Sequence, residues 1–170
     1  MVYEESLLVA IEEFGSKALD IVVWRHTLGE RPAFTPNVAR ARWNPAGVAA
    51  LYTSLSREAA IAEGSWLLAA QPILSQAPRR VHQMKITLER VLDLSSLEAL
   101  TAFGIDRSVL EGDAESWPAC QRVGGAVAFL GLQALLVPSL RSEGGGNLVV
   151  YTDKVEAGAG SFEVIVTEDL

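Results

Sequence analysis

Residues 48–69, VAALYTSLSREAAIAEGSWLLA, pass from one periodicity to another within a few positions. Val48 to Thr53 is a short apolar and aromatic run of the kind that forms a strand. Ser54 or Ser56 then supplies a side-chain oxygen able to cap a helix running to about Ala69. On that helix Glu63 lies roughly 140° from Glu58, whereas Ser65 returns to within about 20° of Glu58, since successive residues turn by about 100°. Glu63 therefore shares its side with Ala59, Ala60, Trp66 and Leu67 rather than with the solvated face. An unpaired carboxylate in such surroundings is costly and calls for a partner. A cleft carboxylate resolves the conflict, and so does a partly exposed glutamate paired with a nearby arginine.

Upstream, Leu7, Leu8, Ile11 and Phe14 recur at helical spacing between Glu4 and Lys17, so the chain opens with an amphipathic helix. Asp20 to Trp24 forms a β-rich run ending at Arg25. Gly29, Pro32, Pro36, Asn37, Pro45 and Gly47 then punctuate a loop long enough to suggest a functional role in a compact domain. Downstream, Arg80 to Leu94 alternates as a long strand with one slip in spacing, which implies a bulge. Helices are expected at about Leu97 to Phe103, Arg107 to Leu110 and Cys120 to Leu132, and strands at Ala134 to Val137, Asn147 to Thr152 and Phe162 to Thr167. With no internal repeat and no Pro/Ser-rich linker, this order predicts one domain over residues 1–170 of the α+β class, a mixed sheet flanked by helices.

Composition narrows the possibilities. A chain of 170 residues can bury roughly 70% of the surface its unfolded form exposes. The longest apolar stretches, such as Val123 to Val137, are broken by Gly and Gln and fall short of the roughly 20 residues a spanning helix needs, so no membrane helix is expected. The opening MVYEESLLVAIEEF carries acids where a secretory signal carries Lys or Arg, and Cys120 is the only cysteine. A cytoplasmic, reducing setting without disulfides is the expectation. His26 and His82 form no HExxH pair, so no metal is expected. The net charge of −7 disfavours wrapping around nucleic acid, although a few arginines in one cleft can still hold a small phosphate-bearing ligand.

Several residues are candidates for such a cleft. Arg25 ends the β-rich run, and Arg40 and Arg42 sit in the punctuated loop beside Trp43 and Asn44. Each offers the fixed fork of donors that suits phosphate, and each alone also fits a surface salt bridge. Tyr52 ends the strand before the Glu63 helix, where α/β sheets place ligands, and is equally at home as a core tyrosine. Ser139 follows a strand in Val137-Pro138-Ser139 without any GxSxG pattern. Gly144-Gly145-Gly146 matches no phosphate-binding fingerprint and reads as a turn. Cys120 reads as a buried structural cysteine.

Taken in order, Trp24-Arg25, Arg42-Trp43-Asn44-Pro45-x-Gly47, Leu51-Tyr52-Thr53-Ser54, Glu63, Val137-Pro138-Ser139 and Asn147 resemble the RES domain family, named for its arginine, glutamate and serine. The likeness covers most of the chain, and the stretch from Trp117 to Gly124 also looks like a segment found in part of the family. One departure is Ala41, where glycine commonly precedes the Arg-Trp-Asn motif. The resemblance implies a toxin of a bacterial toxin–antitoxin pair, a split β-sheet related to ADP-ribosyltransferases, and chemistry on NAD as substrate. It implies that NAD is hydrolysed or phosphorolysed at its nicotinamide–ribose bond. Transfer of ADP-ribose to a host protein and a non-catalytic binding module are the alternatives. It further implies that Arg25 and Arg42 hold the phosphates, that Tyr52 contacts the nicotinamide side and that Glu63 stabilises the ribose. Trp43, Asn44, Ser54, Ser139 and Asn147 would complete the pocket, and a helix-turn-helix type antitoxin would cover it.

Overall fold

The computed structural model describes residues 2–170, with Ser75 described by its backbone alone. The chain begins with α1 (Glu5–Phe14), then β1 (Lys17–Leu28), β2 (Ala50–Ser54), α2 (Arg57–Ala70) and, after a short 3-10 turn at Pro72–Gln76, β3 (Arg79–Asp93). Three helices follow: α3 (Leu97–Ala102), α4 (Arg107–Glu111) and α5 (Trp117–Phe129). The chain closes with β4 (Ala134–Pro138), β5 (Gly146–Tyr151), α6 (Thr152–Ala157) and β6 (Gly160–Asp169). The strand-to-helix switch forms as its sequence dictates: Ser56 is the N-cap of α2, its hydroxyl accepting from the Ala59 amide.

The strands form two three-stranded antiparallel groups. β3 lies between β1 and β6, and β5 lies between β2 and β4. They join in two places. β3 runs parallel to β4 over Val91, Leu92 and Asp93, and β1 meets β2 at the single pair Trp24–Ser54. The sheet is therefore mixed, and it is thinly held where Trp24 meets Ser54. The bulge anticipated in β3 falls between Leu88 and Val91, where three steps of β3 face two of β1 (Leu19 to Lys17), while the shift between Gln83 and Met84 places an extra residue, Ile165, in β6.

One apolar cluster joins Ala50, Leu135, Val137, Val149 and Tyr151 to the helical layer of α1, α3, α4 and α5. The other gathers Leu51, Leu148 and Val150 from the alternate positions of β2 and β5, together with Val23 of β1 and Met84 and Ile86 of β3. Two glycines set how closely helices approach. A Cβ on Gly64 would collide with the His26 ring, and one on Gly124 with the Trp43 carbonyl. Thus α2 lies directly on β1, and α5 directly beneath the 41–48 loop. Among the described residues no helix is long and apolar enough to cross a membrane.

Candidate active site

The 41–48 loop is shaped from within. The Asn44 side chain is fully buried, and its amide donates to the carbonyls of Ala39 at 2.9 Å and Val48 at 3.0 Å. Its oxygen accepts from the Tyr52 hydroxyl at 2.8 Å, and that hydroxyl in turn accepts the Trp43 amide at 2.9 Å. The Trp43 carbonyl accepts from the Tyr151 hydroxyl at 3.0 Å. Gln121 reaches up from α5 to the Ala41 carbonyl at 2.7 Å. Burial pushes the Tyr52 phenol well above its ordinary value, so it serves as a neutral donor and acceptor.

Held at the front of this loop, Arg42 donates to the carbonyls of Leu110 at 2.6 Å and Gly112 at 3.0 Å, and its guanidinium lies 5.7 Å from the centre of the Trp117 ring. It lines a cleft of about 1010 Å3 whose other walls include Trp66, Trp117, Ser139, Arg141 and the turn through Gly145. The volume is in the range of small-molecule and cofactor sites.

Glu63 stands beside this cleft, against its lining residue Arg141, on the sheet face of Tyr52, Ser54 and Val137. Asn147, paired with both Ser54 and Val137, donates its amide to Glu63 Oε1 at 3.4 Å. On the other side Arg141 Nε lies 3.9 Å from Glu63 Oε2, with its guanidinium 4.2 Å from the centre of the half-exposed Trp66 ring. Burial raises the Glu63 carboxyl above its usual range, opposed by the Asn147 hydrogen bond and by the charges of Arg141 and Arg42. Among the described residues two buried polar atoms in this region have no hydrogen-bond partner: Asn147 Oδ1 and the Trp117 indole nitrogen. Buried polar groups are normally satisfied, so the two depart from the ordinary pattern.

The structure thus brings together Arg42, Tyr52, Ser54, Glu63, Ser139 and Asn147, but it redistributes their roles. Trp43 and Asn44 are buried, the Trp43 main chain and the Asn44 side chain being engaged within the loop, so they shape the loop and do not line the cleft. Arg25 does not join the cluster. Strand alternation puts it with Val23 and His82, across the sheet from Trp24 and Ser54, and it donates to the Ala33 carbonyl at 2.5 Å. Burial, with Arg31 nearby, lowers its pKa to about 10. Arg141 takes the place beside Glu63, and sequence reasoning missed it. The only signal was its position two residues beyond Ser139, inside a Ser/Gly-rich turn. Arg40 donates to the Ala114 carbonyl at 2.8 Å on the surface. Cys120 is fully buried beneath Arg42, its thiol pushed up by burial. Among the described residues no group of His, Cys, Asp and Glu side chains is placed to hold a metal.

A carboxylate gripped between an asparagine from β5 and an arginine from the turn after β4 sits on a scaffold shared with a known family. The RES domain pattern matches residues 22–168, and the chain belongs to that family. Among its relatives is the NAD(+) phosphorylase MbcT of Mycobacterium tuberculosis, 30% identical over 175 residues that cover 98% of this chain and 91% of the relative. The protein of the same name from Mycobacterium bovis matches to the same extent. The crystal structure of the M. tuberculosis MbcT–MbcA toxin–antitoxin complex superposes with a TM-score of 0.85 at 30% identity, covering 98% of this chain and 93% of that one.

Proposed function

We propose that this chain cleaves the nicotinamide–ribose bond of NAD, passes the ADP-ribosyl group to inorganic phosphate, and acts as the toxin of a toxin–antitoxin pair. The observation that carries the reading is the setting of Glu63: a half-buried carboxylate beside a cleft, held by Asn147 and Arg141 and within the field of Arg42. As the bond to nicotinamide lengthens, positive charge grows on the ribose. A preorganised carboxylate aimed at that charge lowers the barrier. Its raised pKa reflects incomplete solvation, which leaves the negative charge available to the sugar instead of to water.

The remaining residues position and exclude. Arg42 presents its charge to the cleft while its donors fix the segment between α4 and α5, so it faces the NAD diphosphate with little freedom to move. Tyr52, Asn44 and Trp43 act through the loop that holds Arg42. The free Asn147 oxygen accepts from a ribose hydroxyl or the carboxamide, and the free Trp117 N–H donates to the substrate. Ser139 and Ser54 line the same face. Arg25 works at a distance, anchoring the chain at Ala33 ahead of the 41–48 loop. Two antiparallel strand groups that meet narrowly at Trp24–Ser54, with the carboxylate beside that junction, agree with a fold related to ADP-ribosyltransferases. The naming of the relatives favours phosphate over water as acceptor. In the toxin reading, a protein antitoxin of helix-turn-helix type seats over the cleft and keeps NAD out, within the cytoplasm.

Incubating the purified protein with NAD, with and without inorganic phosphate, and resolving products by mass tests this directly. A phosphate-dependent ADP-ribose phosphate together with nicotinamide is expected. Free ADP-ribose irrespective of phosphate would make the enzyme a hydrolase, and undiminished NAD under both conditions would refute the proposal.

A further inference from the structure

We infer that Arg141 carries the acceptor phosphate to the reacting carbon and thereby selects phosphate over water; this rests on reading the chain as an NAD-cleaving enzyme. Two arginines reach the cleft, and they differ in what they have left to offer. Arg42 spends donors on the Leu110 and Gly112 carbonyls. The Arg141 guanidinium makes no hydrogen bond within the described residues, being held only by the Trp66 ring at 4.2 Å and by Glu63 Oε2 at 3.9 Å from its Nε. A stacked guanidinium keeps its edge donors directed outward, and its planar fork matches two phosphate oxygens. Ser139 stands next to it, its hydroxyl oxygen accepting the Arg141 amide at 3.2 Å, which leaves the hydroxyl proton to donate to the same anion.

Position separates the two arginines by task. The NAD diphosphate lies on the 5′ side of the ribose, away from the carbon that reacts, whereas the acceptor must reach that carbon itself. Glu63 marks it, and Arg141 is the cation in contact with Glu63. Phosphate also meets an obstacle that water does not: it is an anion approaching a site that already holds a carboxylate, and like charges at close range repel. A guanidinium between them offsets that repulsion. One phosphate oxygen then bonds to the anomeric carbon as the carbon–nitrogen bond breaks. The bonding pair stays on the nicotinamide nitrogen, which becomes neutral, and the phosphate proton remains on the new ester or passes to solvent.

The test is the initial rate against phosphate concentration, at saturating NAD, for the full chain and its Arg141→Ala, Arg141→Gln and Arg141→Lys variants, with products resolved by mass. Losing a charge-assisted hydrogen bond should raise KM for phosphate by about 10-fold to 100-fold in the Ala and Gln variants. KM for NAD should change much less, the product should shift toward free ADP-ribose, and Lys should recover part of the loss. The Gln variant preserves much of the stem that covers Trp66, so it separates the effect from misfolding. A phosphate KM in both neutral variants equal to that of the unaltered protein overturns the assignment while leaving the NAD reading intact. Phosphate-independent cleavage by the unaltered protein also overturns the assignment, by making the enzyme a hydrolase, whereas undiminished NAD overturns the reading on which it rests.

Discussion

Replacing Tyr52 by Phe probes the element on which the site depends, the loop that carries Arg42. The ring and its packing survive, and only the hydroxyl is lost. That hydroxyl donates to Asn44 Oδ1 at 2.8 Å and accepts the Trp43 amide at 2.9 Å. Asn44 and Trp43 are both buried, so the substitution strands one acceptor and one donor away from solvent. A buried group deprived of its partner costs about 1–3 kcal/mol. Two of them, with some relief from loop relaxation, put the loss at about 2–4 kcal/mol. For a chain of this size each kcal/mol lowers Tm by roughly 2–4 °C, so a fall of roughly 5–15 °C is expected in thermal unfolding followed by circular dichroism. NAD turnover should fall in step, through a higher KM, because Arg42 would no longer be held against Leu110 and Gly112. A Tm within about 1 °C of the unaltered protein, with turnover unchanged, would refute the argument that this hydroxyl organises the loop.

Other substitutions test separate contacts. Gly64→Ala sets a methyl group against the His26 ring; it should cost about 1–3 kcal/mol as an overpacked contact and depress turnover by lifting Glu63 with its helix, and unaltered stability in a denaturant titration would show that α2 tolerates a wider separation. His26, pushed down to about 4 by burial with Arg79 and His82 nearby, accepts from Arg79 Nε at 3.1 Å and is neutral in the folded state. The unfolded chain takes up its proton near pH 6.5, so stability should be lost as pH falls from about 6.5 toward 4. His26→Gln should flatten that slope in Tm measured against pH, and an identical slope would exclude His26 as its source. For Glu63, whose raised pKa means that the folded state holds its proton to higher pH than the unfolded chain, the sign reverses: stability falls as pH rises through the raised value. Glu63→Gln should therefore melt no lower than the unaltered protein at neutral pH, while being nearly inactive.

How much of this was legible in the sequence follows from the range of each interaction. The β2–α2 switch was readable because its determinants are local: a strand-forming run, a Ser cap and a helix whose Glu63 breaks the apolar side. The strands were placed to within a few residues for the same reason, β1 excepted. It runs on at both ends beyond the Asp20–Arg25 run because its pairing with β3 extends from Lys17 to Leu28. The short α6 was missed, since one and a half turns before Gly158 carry too little periodicity to register. At the site, Asn147 meets Glu63, and Ser139 lies beside Arg141, which also contacts Glu63. Arg25 does not join them, because which way a strand residue points relative to a neighbouring strand depends on register, and β1 touches β2 at one pair only. Trp43 and Asn44 illustrate a similar limit. Their types suit ligand contact, but the Tyr52 hydroxyl claims them first. Arg141 was hidden because a charged residue in a glycine-rich turn reads as solvated surface until the turn is folded against α2.

Nicotinamide release by the unaltered protein and by Glu63→Gln, measured under saturating NAD and phosphate across a pH series, bears most directly on the claim that the Glu63 carboxylate drives cleavage. The account predicts a rate that rises with pH through a value above the ordinary carboxylate range, and a loss in Glu63→Gln on the order of 10² to 10³. A Gln variant turning over within about threefold of the unaltered protein, with the pH profile preserved, would contradict it.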